Sequence, residues 1–191
     1  VPCLARSWTF NDSSLTYRFL LRNDVTFTTG RRMTAADVVV SLERLRDPEV
    51  ISSGGWILDA VVPKGIVAVN DSIVDIRLSK PYPPFLGLLT TAYGSILDSK
   101  AHLASGSNLR SQPLGSGPFQ LAWWLPDAGL VMHRNELYWE RDEEGKRLPY
   151  LEAIHVDVVQ DMGAEFLGLT QGRYDFISGL HPAYMETLLD E

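Results

Sequence analysis

Pro113-Leu-Gly-Ser-Gly-Pro-Phe119 constrains this chain more than any other stretch. Two prolines and two glycines within seven residues cannot form a helix or an inner strand. Pro118 has no amide donor and a fixed φ, and it biases Gly117 toward extended geometry. Gly115 and Gly117 permit backbone shapes that a Cβ forbids. The stretch therefore reads as a rigid crossover into the apolar run Phe119-Gln-Leu-Ala-Trp-Trp124.

The segments around this crossover alternate between strand and helix patterns. Leu15, Tyr17, Phe19 and Leu21 fall on one face of a period-2 run, which predicts a half-buried strand. Asn11-Asp-Ser-Ser14 is a turn, so Ser7–Phe10 is its expected hairpin partner. Thr34 reads as a helix N-cap with Asp37 as a capping-box variant. Val38, Val39, Leu42 and Leu45 form the helical stripe, which Asp47-Pro48 ends. Ser52–Gly55 is a loop leading to Trp56. A second hairpin is expected over Gly65–Val69 and Ser72–Leu78, turning at Asn70-Asp71. Short helices follow at Phe85–Leu89, entered through Pro83-Pro84, and at Ser99–Ala104, capped by Asp98.

Beyond the crossover, strands are expected at Phe119–Trp124, Gly129–Arg134, Ile154–Val159 and Tyr174–Ile177. Helices are expected at Gly163–Gln171, closed by Gly172, and at Pro182–Leu189. The loop-rich Ser105–Gln112 predicts a subdomain boundary, dividing 1–108 from 109–191. This order describes a mixed α+β chain of the α/β type, with mixed sheets and helices.

Composition removes several function classes. The chain has 191 residues, 45% hydrophobic and 21% charged, with a net charge of −7. An acidic chain with no basic run is a poor partner for nucleic acid or an anionic membrane. No apolar run reaches the ~18 residues of a membrane span. Cys3 is the one cysteine, so it has no internal disulfide partner, and it reads as a small, partly buried residue. His102, His133, His155 and His181 lack HExxH spacing and a cysteine partner, so no metal site is assigned. Gly115-Ser-Gly117 is followed by proline and has no GK[ST], which rejects a phosphate loop. No G-x-S-x-G elbow occurs, and no carboxylate pair is marked as acid and base, so no catalytic residue and no cofactor is assigned. Asn11 and Asn70 each open a glycosylation sequon, but both lie in expected hairpin turns, which is the reading kept.

Three segments in order carry a resemblance. Phe27-Thr-Thr-Gly-Arg-Arg-Met-Thr-Ala-Ala-Asp-Val38 comes first, then Pro113–Phe119, then Leu130-Val-Met-His-Arg-Asn-Glu-Leu-Tyr-Trp139 with Pro149-Tyr-Leu151. Together they resemble the family 5 extracellular solute-binding proteins, the peptide- and nickel-binding receptors of ABC importers. The family pattern runs F-x-D/N-G-x-x-x-T-A-x-D-V, then P-x-G-T-G-P-Y/F, then R-N-x-x-Y-W and P-x-L. Thr29 and Ser116 depart from it, and both suit turn chemistry. The resemblance implies a periplasmic binding protein type II-like lobe, here an internal part of the first lobe without its opening strand or the second lobe, with 1–108 a hairpin-and-helix subdomain and 109–191 part of the α/β subdomain. It implies a monomeric, non-enzymatic receptor that closes two lobes around a peptide, or a related small ligand such as a nickel chelate, and delivers it to a membrane permease. It also implies a periplasmic or extracellular location, membrane-associated if the full-length protein is a lipoprotein. The alternative is a ligand-sensing or interaction domain of a regulator with the same fold.

The candidate ligand-binding residues are Trp56, Tyr93, Gly94 and Ser95. Trp56 follows two glycines, and Tyr93-Gly-Ser95 lies in a break between short helices. Aromatic faces and free backbone polar groups are what a peptide cleft uses. The resemblance places both segments near the cleft between lobes. Two readings stand for each: Trp56 faces ligand or belongs to the subdomain core, and Tyr93–Ser95 faces ligand or only packs. Asp37, Gly30, Asn135, Tyr138, Trp139 and the crossover read as scaffold.

Overall fold

The computed structural model describes residues 3–50, 52–105, 109 and 111–185. The chain falls into two compact units, Val1–Leu121 with His133–Ala153, and Ala122–Met132 with Ile154–Glu191. The boundary expected at 108/109 lies beside residues 106–108 and 110, outside the described residues.

The first unit is built on a four-stranded antiparallel sheet with strand order β1-β2-β4-β3. The strands are β1 (Ala5–Asn11), β2 (Thr16–Leu21), β3 (Val61–Asn70) and β4 (Ile73–Leu78). The β1–β2 turn forms as Asn11 Oδ1 accepts from Ser13 Oγ at 2.7 Å and the Ser14 amide at 3.1 Å. Tyr17, Phe19 and Leu21 point inward as their period demands. Register sets Tyr17 opposite Ile76 and Phe19 opposite Val74. β3 begins four residues earlier than expected, at Val61. Pro63 lacks a ladder donor and Lys64 has φ 55°, so the strand bulges before pairing resumes at Ile66.

Helix α1 (Ala35–Arg44) packs on β3 and β4. Its capping box closes as expected, the Asp37 carboxylate accepting the Thr34 amide at 2.8 Å and hydroxyl at 3.0 Å. Val38 and Leu42 carry its stripe into a core where Val25, Phe27, Ile57, Leu58, Val74 and Phe85 are wholly buried. Helices α2 (Phe85–Leu88) and α3 (Ser99–Ser105) lie where expected. Trp56 lies in a 3-10 turn, Gly55–Leu58, and Tyr93 in another, Ala92–Gly94.

Strands β5 (Phe119–Leu125), β6 (Gly129–Arg134) and β7 (Ala153–Asp157) form a three-stranded sheet in that order. The Arg134 amide donates to Glu152 O and the Val158 amide to Ala128 O, so β7 runs antiparallel to β6. The second unit adds α4 (Met162–Thr170), whose N-cap Asp161 accepts from the Ala164 amide at 2.7 Å. Gly172, at φ 70°, ends it as expected.

Two expectations need correction. Tyr174–Ile177 is not a strand: the Tyr174 amide bonds Gly168 O at 3.2 Å, and its ring sits where a Cβ on Gly168 would be. Those contacts fold the segment back on α4, so that amide is not available to a ladder. Of the helix expected at Pro182–Leu189, Pro182–Tyr184 form a 3-10 turn and Met185 is helical, while 186–189 lie outside the described residues. Cys3 is exposed rather than partly buried.

Candidate functional site

The first unit brings Trp56 and Tyr93 together across 37 residues of sequence. Their rings meet edge to face, centroids 6.3 Å apart at 77°. Trp56 is 50% and Tyr93 40% exposed, so neither belongs to the core. The pair is held by backbone economy. A Cβ on Gly54 would overlap the Tyr93 ring, and one on Gly94 would overlap the Leu89 carbonyl. Glycine at 54 is what lets the two 3-10 turns approach so closely. An edge-to-face pair with both faces partly open has apolar surface left for a third group.

Gly94 and Ser95 lie elsewhere, on the rim of an open groove of about 620 Å³. Trp8, Phe19, Leu86 and Leu89 line it with them, and no charged side chain does among the described residues. Trp56 and Tyr93 are not part of this lining. The Ser95 hydroxyl donates to Ala92 O at 2.7 Å and remains exposed. Trp8, 39% exposed, is a groove residue that sequence reasoning passed over. Its alternation partner Phe10 was visible, but nothing in the sequence marks its partial exposure.

A second cluster missed in sequence includes the end of the 93–98 segment. Arg31 bridges Asp37 and Asp98, each only 1% exposed. Its Nε and Nη2 donate to Asp98 Oδ1 at 2.8 and 2.6 Å. Its Nη1 donates to Asp37 Oδ2 at 3.1 Å, and Nη2 to Asp37 Oδ1. Burial works to raise both carboxyls, but the hydrogen bonds from Arg31, Ser99, Thr34 and Thr29 outweigh it and hold both below the ordinary value. Arg31 is correspondingly raised, chiefly by Asp37. Asp37 and Asp98 read as caps in sequence, but the common cation does not show there, because Arg31 sits beside an equally plausible Arg32.

The other motifs lock the crossover. Asn135 is buried, its Nδ2 donating to Gly117 O at 2.8 Å and its amide to Pro118 O at 2.8 Å. Arg22 lies over the Trp139 ring at 4.1 Å. Among the described residues no group of His, Cys, Asp and Glu is arranged to hold a metal ion.

The chain matches, over residues 1–191, the family model for bacterial extracellular solute-binding proteins, family 5 middle region. It is 28% identical over 211 aligned residues to the peptide transport periplasmic protein SapA of Salmonella typhimurium, covering 100% of this chain and 37% of that protein. It is 30% identical to heme-binding protein A of Haemophilus influenzae, covering 92% of this chain and 35% of that protein. Among solved structures it is similar to the ABC transporter-associated periplasmic binding protein DppA of Helicobacter pylori in complex with the peptide STSA. That likeness has 26% identity and a TM-score of 0.86, over 100% of this chain and 40% of that one. The fold is therefore that of the type II-like periplasmic binding proteins. The chain spans well under half the length of the curated relatives it matches.

Proposed function

The chain belongs to the bacterial extracellular solute-binding proteins of family 5, and we propose that it forms part of one lobe of an ABC-importer receptor. The receptor captures a peptide, or a related small ligand such as a nickel chelate, between two lobes and delivers it to a membrane permease. The chain contributes two subdomains of that lobe, divided near residues 108/109. The receptor is a monomer, acts outside the cytoplasmic membrane, and binds rather than turns over its ligand. Closure follows when ligand touches both lobes, because only then does it favour the closed state by differential affinity. Trp56, Tyr93, Gly94 and Ser95 are this chain's ligand-facing residues. The observation that carries this assignment is the half-exposed Trp56–Tyr93 pair, held by Gly54 at a spacing that leaves aromatic surface open. Uncharged aromatic and backbone groups suit sequence-tolerant peptide capture. The sensor-domain alternative has no support in the relatives named above, which are transport or binding proteins.

Thermal shift of the intact protein against di- to pentapeptides, nickel–histidine chelates and heme names the ligand class, since native-state binding raises the midpoint. With that ligand, Trp56→Ala is expected to weaken binding roughly three- to tenfold by calorimetry. Unchanged affinity in a folded variant removes Trp56 from the site.

A further inference from the structure

Arg31 joins segments that lie far apart in the sequence. We propose that Arg31, with Asp37 and Asp98, is an electrostatic clasp that positions both the 93–98 segment and the crossover at 113–117. The two carboxylates cap different helices: Asp37 sits in the first turn of α1, and Asp98 precedes α3 and accepts the Ala101 amide at 3.1 Å. The acids are 61 residues apart, and one guanidinium reaches both. Its planar fork can serve two carboxylates at once, which a lysine ammonium on a flexible stem does poorly.

Three hydroxyls complete the clasp. Thr29 Oγ1 donates to Asp98 Oδ2 at 2.5 Å, Ser99 Oγ to Asp37 Oδ1 at 2.6 Å, and Thr34 Oγ1 to Asp37 Oδ2 at 3.0 Å. Backbone bonds fan out from the same residues. The Asp98 amide donates to Leu114 O at 2.8 Å, and the Thr28 amide to Gly115 O at 2.9 Å. The Leu97 amide donates to Ser41 Oγ on α1 at 3.0 Å. The crossover is thus hung on residues that flank the clasp on both sides. Losing Arg31 leaves two buried anions with no cation, a state they relieve by separating or taking up protons. The weakest route to separation is to release the Asp98 side, since Asp37 is anchored in α1.

Hydrogen exchange on the intact protein tests this. In Arg31→Met, the amides of Thr28, Leu97 and Asp98 are expected to exchange about tenfold faster relative to those of Val74 and Ile76 in β4. Arg31→Lys, which keeps the charge, falls between the variant and the parent. Asp98→Asn, milder because it leaves Arg31 paired with Asp37, shows the same local pattern if Arg31→Met does not fold. Acceleration of all these amides in step would overturn the clasp, because Arg31 would then support only global stability. The consequence for ligand rests on the reading of Tyr93–Ser95 given above. With the local opening present, affinity is expected to fall about fivefold through lost preorganisation. Local opening with unchanged affinity keeps the clasp and overturns that ligand-facing assignment.

Discussion

The two units solve the same sequence pattern to different degrees. In the first, β2 and β4 alternate and their apolar faces are closed: Val74 is 0% and Ile76 1% exposed under α1. In the second, Ile154, Val156 and Val158 alternate just as clearly, yet Val156 is 42% and Val158 51% exposed. Trp123, Leu125, Met162 and Leu167 around them are also about half exposed, and Phe176 is 81% exposed. Alternation states a demand for burial on one face. Whether that demand is met depends on which other element reaches the face. The first unit has a helix stripe, capped and cross-tied, that does so. The second has α4, whose one buried residue is Gly168.

The comparison breaks most directly on core deletions. Phe27→Ala, in the first unit, is expected to cost about 3–5 kcal/mol by denaturant unfolding, because Phe27 is wholly buried. A cost near zero would mean that the first unit's core is no tighter than the second's. A smaller effect is expected on acidification. Asp37 and Asp98 are held below the ordinary carboxyl value in the folded state. Their contribution is complete above the unfolded value, about 3.9, and is lost as pH falls through the lowered folded values. Amides of the first unit around Asp37 and Asp98 should therefore lose exchange protection at acid pH before those of β7. Simultaneous loss would put the acid-sensitive groups elsewhere. The smallest effect belongs to Phe176→Ala, expected within about 0.5 kcal/mol. A loss of several times that would show that the exposed face of the second unit is covered in solution, and would erase the contrast.

Much of the first unit was legible because its signals are local. Asn11 and its turn, the Thr34–Asp37 cap and the period-2 faces of β2 and β4 depend on neighbours within a few residues, so their chemistry shows in the string. The missing strand at Tyr174–Ile177 shows the converse. Its apolar residues fit a strand, but the Tyr174 amide and ring are claimed by Gly168. The candidate site was legible only in part. Trp56 and Tyr93 stood out as aromatics beside glycines, yet the sequence does not say that they touch, or that Gly94 and Ser95 face a groove which the pair does not line.

By itself, then, the sequence determined the type and order of most elements, the rigid crossover and the family pattern. These rest on torsional limits, hydrogen-bond reach and hydrophobic period, all short-range along the chain. Only the tertiary structure decided which of two adjacent arginines is the cation for two buried acids, which apolar faces are closed, and which aromatics meet. Those outcomes turn on distances between residues tens of positions apart, and desolvation and charge pairing respond to distance in space alone.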